Sequence, residues 1–285
     1  MKTGFIGAGK VGFTLGKFFA SNNIHVTGYY SRRKESAEEA AAFTGTTAYT
    51  SIDELIQNSD AVFLTVPDSA ISSVFEELKE FDLTGRSICH CSGAMTAYEA
   101  FPGIKDTGAY GYSIHPLFPI HSKHDAYREL AGAFFCLEGD PMYIDSWCKL
   151  LESLELHTKV ISPEVKTKYH AACTISSNLV CALVQESLDL MKSCGFTENS
   201  ALAALAPLIQ NNIRNILADS PIRALTGPVE RNDISTVLKH LDCLQTKTEK
   251  NIYRGLSLKL VEIAKVKTPC NDYSELENML NKEII

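Results

Sequence analysis

The chain has no apolar run approaching the roughly 18 residues a membrane-spanning helix needs, so no segment is expected to cross a bilayer. It has no excess of basic residues: 27 Lys and Arg stand against 34 Asp and Glu, a formal net charge of −7. That balance argues against a general binder of nucleic acid or of an anionic membrane, since both need a positive field. It leaves room for a small anionic ligand in a local basic pocket. Nine cysteines are present, but none form a C-x-x-C pair. Cys89 and Cys91 flank His90, and His115, His121 and His124 lie close together. Neither group supplies four well-spaced ligands, so no metal is expected. No leader segment is expected ahead of the first strand, and reduced thiols in a cytoplasmic chain fit best. There is no internal repeat and no low-complexity tract. What remains is ordinary globular composition, 45% hydrophobic and 21% charged over 285 residues. That is enough for one large or two medium domains with real cores.

The organising stretch is at the start. Phe5-Ile6 leads into Gly7-Ala8-Gly9-Lys10-Val11-Gly12, after which Val11, Leu15 and Phe18 mark one face of a helix. Strand, glycine turn and helix form the context in which G-x-G-x-x-G means dinucleotide binding. Gly7 permits the tight turn, Gly9 lets backbone approach a pyrophosphate, and Gly12 lets the helix pack on the strand. The free N–H groups and dipole of the helix then face the phosphates. The second strand, Ile24 to Tyr30, ends in Ser31-Arg32-Arg33 rather than in the carboxylate that bonds the ribose of NAD. Two guanidiniums suit a 2′-phosphate, so NADP(H) is the expected cofactor.

The first half alternates strand and helix, the pattern of a doubly wound sheet. Helices are predicted over 35–43, 51–58, 70–81 and 142–154, and strands over 61–66, 87–90, 109–114, 133–137 and 158–161. The continuous apolar run Ala61 to Val66 reads as a buried parallel strand. Thr65, Val66 and Pro67 then lie at the carboxyl ends of the strands, where a ribose and nicotinamide would be walled. Ser92, in Cys91-Ser92-Gly93-Ala94, is either a contact to cofactor or substrate or a Ser-capped turn. His115 precedes Pro116, is expected to break its strand, and either faces the site or is a satisfied turn histidine.

From Ser162 the strand signals stop. Ser162-Pro163-Glu164 is a strong helix start. The helix can run unbroken to Cys194-Gly195, about 48 Å, joining the two halves. Lys166, His170, Cys173 and Ser177 fall within a stripe about 60° wide on it, with Asn178 further round. Pro207 should kink a helix over 198–218. Further helices follow Asp233 and Thr248, and one runs from Tyr273 to Lys282. A rigid loop, Leu225 to Asp233, presents Arg231. The expected architecture is therefore an α/β Rossmann domain over 1–161 and an all-α domain with a long interdomain helix over 162–285. Excess apolar helix faces suggest a homodimer.

GAGKVG, YSRR, TVPD, CSGA, HPL, KYHAACTISSN and TGPVERND occur in that order across nearly the whole chain. Together they resemble the Rossmann-like NADP-dependent oxidoreductases whose C-terminal helical domain was long of unknown function. That group is similar to pyrroline-5-carboxylate reductases and 6-phosphogluconate-type dehydrogenases, and it includes a PanG-type alternative ketopantoate reductase. The resemblance implies NADPH-dependent reduction of a 2-keto acid, most concretely 2-dehydropantoate (ketopantoate) to pantoate in pantothenate and coenzyme A biosynthesis. Many 6-phosphogluconate-type enzymes carry a lysine and, four residues on, an asparagine on the long helix. Lys166 matches the lysine by placement, and His170 stands where the asparagine would be. Lys166 or His170 would then be the acid, Arg231 would hold the carboxylate, and Ser92, His115 and Asn178 would line the pocket. The alternatives are a reductase of another oxo acid or a cyclic imine, and a non-catalytic NADP(H)-sensing protein.

Overall fold

A computed structural model of the chain describes residues 1–282. The chain divides into two compact units, Met1–Leu179 and a second from Val180 onward. In the first unit eight strands form one sheet: β1 (Lys2–Ile6), β2 (His25–Tyr30), β3 (Thr47–Ala48), β4 (Ala61–Leu64), β5 (Ser87–His90), β6 (Tyr110–Leu117), β7 (Phe134–Gly139) and β8 (His157–Val160). Their order is β3-β2-β1-β4-β5-β6-β7-β8. Helices α1 (Lys10–Ser21), α2 (Lys34–Thr44), α3 (Ile52–Gln57), α4 (Asp68–Leu78), α5 (Ala97–Ala100) and α6 (Ile144–Glu152) connect them. The order reverses between β1 and β4, so a crevice opens at the carboxyl ends of those strands, the usual ligand position in such sheets.

Alternation along the strands splits the core in two. Phe5, Tyr29, Phe63, Tyr112 and Trp147 share one cluster, while Ile6, Val62, Leu64, Phe75 and Ile88 share another. Successive side chains point to opposite faces, so each strand of a sheet covered on both sides is apolar throughout. That is why the run from Ala61 reads as continuous.

Two expectations about the elements need correction. β6 does not break at His115 but continues through Pro116 to Leu117. Its pairing with β5 ends at Ser113, and beyond that only the antiparallel β7 flanks it, with Pro116 opposite Phe135. With a ladder on one side only, the missing proline N–H costs little. The long helix is also interrupted. A 3-10 turn, Pro163–Val165, leads into α7 (Lys166–Ser176), and α8 (Asn178–Ser193) follows after Ser177 at φ −126° and ψ −79°. Ser177 Oγ donates to Cys173 O at 2.6 Å and Ser176 Oγ to Ala172 O at 3.0 Å. Adjacent serines bonding back to the preceding turn compete with the helical ladder and break it here.

In the second unit the core is built by α11 (Ile234–Cys243), α12 (Lys247–Lys267) and α13 (Ser274–Asn281), through Val237, Leu241, Val261, Leu276 and Leu280. Asp233 caps α11, accepting from Thr236 N at 3.0 Å, as its position before the apolar run predicts. The preceding helix α9 (Glu198–Ala218) keeps Pro207 inside it, and the short α10 (Pro221–Ala224) had no clear sequence signal. Leu202, Leu208, Ile213 and Leu217 of α9 are all exposed.

Candidate active site

The glycine loop forms as its sequence requires. Gly7 has φ +103°, a region that L side chains avoid, and its N–H donates to Tyr30 O at 2.8 Å. Thr65 Oγ1 donates to Gly7 O at 2.7 Å, fastening the loop to the end of β4. A Cβ on Gly12 would lie 2.5 Å from Thr65 Oγ1 and 2.7 Å from Gly7 O, so only glycine lets α1 pack there. A Cβ on Gly9 would meet nothing closer than Thr65 O at 3.8 Å. Its bare backbone is left open toward the crevice.

That crevice is a cavity of about 390 Å³. Its phosphate end is bounded by Gly7, Ala8 and Gly9, and its basic end by Ser31, Arg32 and Arg33. Val66 and Pro67 form part of the wall, with Ile52, Ala70 and Val74 adding an apolar side suited to a flat base. Arg32 and Arg33 are exposed, and no carboxylate lies within ion-pair distance of either among the described residues. The residues present thus fit a dinucleotide with an extra phosphate: bare backbone, a helix N-terminus and two unpaired guanidiniums. Lys10, Val11 and Gly12 form the first turn of α1 and do not line the cavity. Glu77 of α4 does line it, a carboxylate that the sequence pattern gave no reason to place there.

A second group of polar side chains lies across β5, β6 and β7. Register sets His90 opposite Ser113, and Ser113 opposite Glu138. Residues directly opposite share a face, so this is one buried polar row inside an apolar sheet. All three are at most 2% exposed. Lys166, fully buried at the start of α7, is placed on the row. Its Nζ donates to Ser113 Oγ at 2.5 Å and lies 4.0 Å from Glu138 Oε2. Ser113 Oγ donates onward to Ser92 O at 3.2 Å, and Glu138 Oε2 accepts from Ala97 N at 2.8 Å. Burial lowers the Lys166 pKa, opposed by Glu138, and raises the Glu138 pKa, opposed by the Ala97 N–H and Lys166. The Lys166 charge is stabilised chiefly by Glu138, and the Glu138 charge first by the Ala97 N–H and then by Lys166.

Ser92 is held from several sides. Its Oγ donates to Asp68 Oδ2 at 2.5 Å and accepts from Met95 N at 3.1 Å, and its N–H donates to His90 Nδ1 at 3.1 Å. Its hydroxyl therefore ties the β5 loop to the first residue of α4, directly after Pro67 of the cavity wall. The next residue, Gly93, lies under two histidines. A Cβ built there would be 2.3 Å from His170 Nδ1 and 2.8 Å from His115 Nε2. The two rings are 5.6 Å apart at 82°. His115 Nδ1 is 2.7 Å from Tyr169 OH, and His170 Nδ1 is buried without a hydrogen bond among the described residues.

Burial, then Lys166, lowers His90 to about 3; burial, then His170 and Lys166, lowers His115 to about 4. Both fall below the usual 6.5, so the unfolded chain takes up these protons first as pH drops. Their contribution to stability is complete above pH 6.5 and is lost as pH falls toward 4 for His115 and 3 for His90. Replacing His115 with asparagine is expected to flatten the slope of unfolding free energy between pH 6.5 and 4 by about one proton, read from denaturant melts across that range.

Lys166, His170, His115 and Ser92 are thus brought together around one loop. Asn178 is exposed at the start of α8, where its Oδ1 accepts from Ser177 Oγ at 3.2 Å. Ser177 is exposed too; of the predicted stripe Lys166 and His170 reach this group, and Cys173 meets Tyr169 beside it. Arg231 belongs to the second unit, exposed on its loop, with its backbone N–H on Gly227 O at 3.1 Å. Sequence reasoning missed Asp68, Ser113, Glu138 and Tyr169. Ser113 and Glu138 did carry a signal: each is a polar residue inside an otherwise apolar strand, which buried strands rarely tolerate without a partner.

An open sheet with a glycine turn at its switch point and free arginines at the end of β2 defines a Rossmann dinucleotide fold. The Rossmann-like domain family matches residues 1–116, and a domain of unknown function, DUF2520, matches residues 133–260. Between them the two matches span most of the chain, a Rossmann-like domain followed by the domain of unknown function. No curated protein matches it significantly. Among solved structures it is similar to protein TM1727 from Thermotoga maritima, at 27% identity over 93% of this chain and 99% of that one, TM-score 0.72. An inferred NADP oxidoreductase from Bacteroides fragilis, BF3122, is 19% identical over 92% and 98%, TM-score 0.67. A reductive aminase from Aspergillus terreus, solved with NADPH and ethyl-5-oxohexanoate, is 14% identical over 98% and 92%, TM-score 0.60. The two lower identities speak for a shared fold. No helix among the described residues is long and apolar enough to cross a membrane, and none of their His, Cys, Asp and Glu side chains group as a metal site.

Proposed function

We propose that this chain is an NADPH-dependent reductase of a 2-keto acid, most concretely of 2-dehydropantoate to pantoate. The observation that carries the reading is the pair of histidines packed over Gly93. There His170 presents a buried, unpartnered nitrogen beside the fully buried Lys166 cluster, one loop away from the wall of the dinucleotide cavity. NADPH, when bound, supplies the hydride. Gly7 to Gly9 and the start of α1 would hold the pyrophosphate, and Ser31, Arg32 and Arg33 the 2′-phosphate. Of the two candidate acids, Lys166 already donates to Ser113, whereas His170 Nδ1 is buried with no hydrogen-bond partner among the described residues. His170 would therefore give the proton to the carbonyl oxygen, and Lys166, held beneath, would stabilise negative charge developing there. For Asn178 and Arg231 the roles stay those that the resemblance implies.

The sign of the charge separates a keto acid from an imine. Hydride reduction of an imine proceeds through its iminium cation, and a buried ammonium beside the site disfavours binding a second cation. A carboxylate-bearing carbonyl gains from the same field. The deciding experiment is NADPH oxidation with ketopantoate, other 2-keto acids and cyclic imines side by side. Turnover of imines but no keto acid sinks the reading, and tight NADPH binding with no turnover at all favours a sensor.

Two further results are expected. Replacing Arg32 and Arg33 with alanine should weaken NADPH binding about 100-fold and leave NADH nearly unchanged, since each charged hydrogen-bonding group is worth roughly 1.5–3 kcal/mol. Titration by nucleotide fluorescence reads both. The exposed leucines and isoleucine of α9 fit a second copy of the chain, so light scattering should return twice the monomer mass of 31.3 kDa.

A further inference from the structure

Among the described residues that line the dinucleotide cavity, Glu77 is the one carboxylate. A cavity that takes a ligand with several phosphates loses affinity to a negative charge, unless that charge meets a donor. The position of Glu77 on α4 says which donor. Ala70, Val74 and Glu77 follow one another at spacings of four and three, so they share one face of the helix, and all three line the cavity. Along that face the apolar wall made by Ala70 and Val74 ends in Glu77, about 10 Å along the axis from Ala70. The carboxylate is uncommitted. Lys79, two positions on, pairs with Glu76 at 2.7 Å instead, and Glu77 makes no ion pair and no side-chain hydrogen bond among the described residues. Arg32 and Arg33 line the same cavity, yet neither comes within ion-pair distance of it.

We propose that Glu77 selects the base of the cofactor, its carboxylate accepting a hydrogen bond from the 6-amino group of adenine. The inference rests on NADP(H) filling the cavity; it is independent of the substrate. In NADP(H) one ribose carries both the adenine and the 2′-phosphate, so the base belongs at the end of the cavity where Arg32 and Arg33 stand. Ile52, Ala70 and Val74 offer the apolar side for its face. The polar edge of adenine carries ring acceptors and a single donor, the 6-amino group. An ionised carboxylate is an acceptor only, so that amino group is the one part of the base that suits it. A charged acceptor also makes the stronger kind of hydrogen bond. The arginines then select the 2′-phosphate and Glu77 the base. A bystander carboxylate does the reverse: it repels every phosphate-bearing ligand alike.

Calorimetric titration, which needs no turnover, separates the two. The ligands are NADP+, its 1,N6-etheno analogue, which has no amino proton, and its hypoxanthine analogue, which has a carbonyl in place of the amino group. Wild type is expected to bind NADP+ about 10-fold tighter than the etheno analogue. Glu77→Ala is expected to lose about 10-fold for NADP+ and nothing for the etheno analogue, which erases the preference. Glu77→Gln keeps an acceptor oxygen and gains an N–H. It should hold NADP+ within about three-fold of wild type and bind the hypoxanthine analogue tighter than wild type does, because the amide can donate to the carbonyl. Glu77 is exposed, so neither substitution disturbs the core. Tighter binding of all three ligands by Glu77→Ala marks a bystander and overturns the proposal. Unchanged NADP+ affinity in that variant, or an equal loss for all three ligands, overturns it too. A wild type that binds none of the three removes the cofactor assignment of the cavity itself, a failure distinct from a wild type that binds them without preference.

Discussion

Replacing Lys166 with methionine is expected to lower kcat for ketopantoate by about 100- to 1,000-fold, with NADPH affinity changed by less than about two-fold. Methionine keeps the length and much of the volume, so the loss isolates the charge rather than a cavity. The cation is fully buried, donates to Ser113 and lies 4.0 Å from Glu138, with Ser113 continuing to the Ser92 carbonyl beneath Gly93. It is also among the causes that hold His90 and His115 neutral. Removing it takes away the charge proposed to act on the carbonyl oxygen and leaves a buried carboxylate without its cation. The second effect gives the variant a distinct signature. Lys166 at present lowers the Glu138 pKa, which burial raises; without it the folded-state pKa rises further. A group raised on folding contributes stability below its unfolded pKa and loses it as pH rises through the folded one. Lys166→Met should therefore melt close to wild type near pH 4.5 and fall progressively below it toward pH 8, by on the order of 3 kcal/mol for an orphaned buried charge. Wild-type kcat in this variant would remove Lys166 from the mechanism.

The cofactor loop is far more legible in the sequence than the buried polar cluster proposed to meet the substrate, and the difference is physical. A glycine turn is a local device: its strand, its φ values and its helix lie within about a dozen residues, so spacing alone exposes it. Ser31 to Arg33 are read the same way, as the end of the next strand. The substrate side is assembled across distance. Ser113 and Lys166 are separated by 53 positions, and Ala97 and Glu138 by 41. Helical periodicity put Lys166 and His170 on one face correctly, because four residues is a local relation. It also put Ser177 there, and that failed where the Ser176-Ser177 pair bends back on the preceding turn. Whether His115 faced the site turned on which strand flanks β6. An antiparallel neighbour with Cys136 opposite is a tertiary fact that no window on residues 109–119 contains. Tyr169 had no signal at all, since a tyrosine beside a polar stripe looks like any helical aromatic until its hydroxyl finds an imidazole 54 residues away.

Replacing Gly93 with alanine is expected to abolish ketopantoate turnover, a loss of about 1,000-fold or more in kcat/KM, while NADPH binds as before. The reason is space alone. Gly93 is not among the glycines held at positive φ, so an alanine suits its backbone. The added methyl would occupy the point that is 2.3 Å from His170 Nδ1 and 2.8 Å from His115 Nε2, well inside contact distance of both rings. The rings must move to admit it, and misplacement of a catalytic group by about 1 Å costs on the order of 100-fold by itself. Gly7→Ala is the informative contrast. There φ is +103° and a Cβ would meet Thr65 O at 2.6 Å, so strain falls on the backbone of the cofactor loop. That variant should lose NADPH affinity and thermal stability together, whereas Gly93→Ala should keep NADPH affinity, lose turnover, and lose about 1–3 kcal/mol of stability from the crowded rings. Nucleotide titration, melting and NADPH oxidation on the two proteins separate the cases. If Gly93→Ala instead turns over ketopantoate like wild type, the two histidines over Gly93 do not meet the substrate, and the site must be sought elsewhere along the carboxyl ends of the strands.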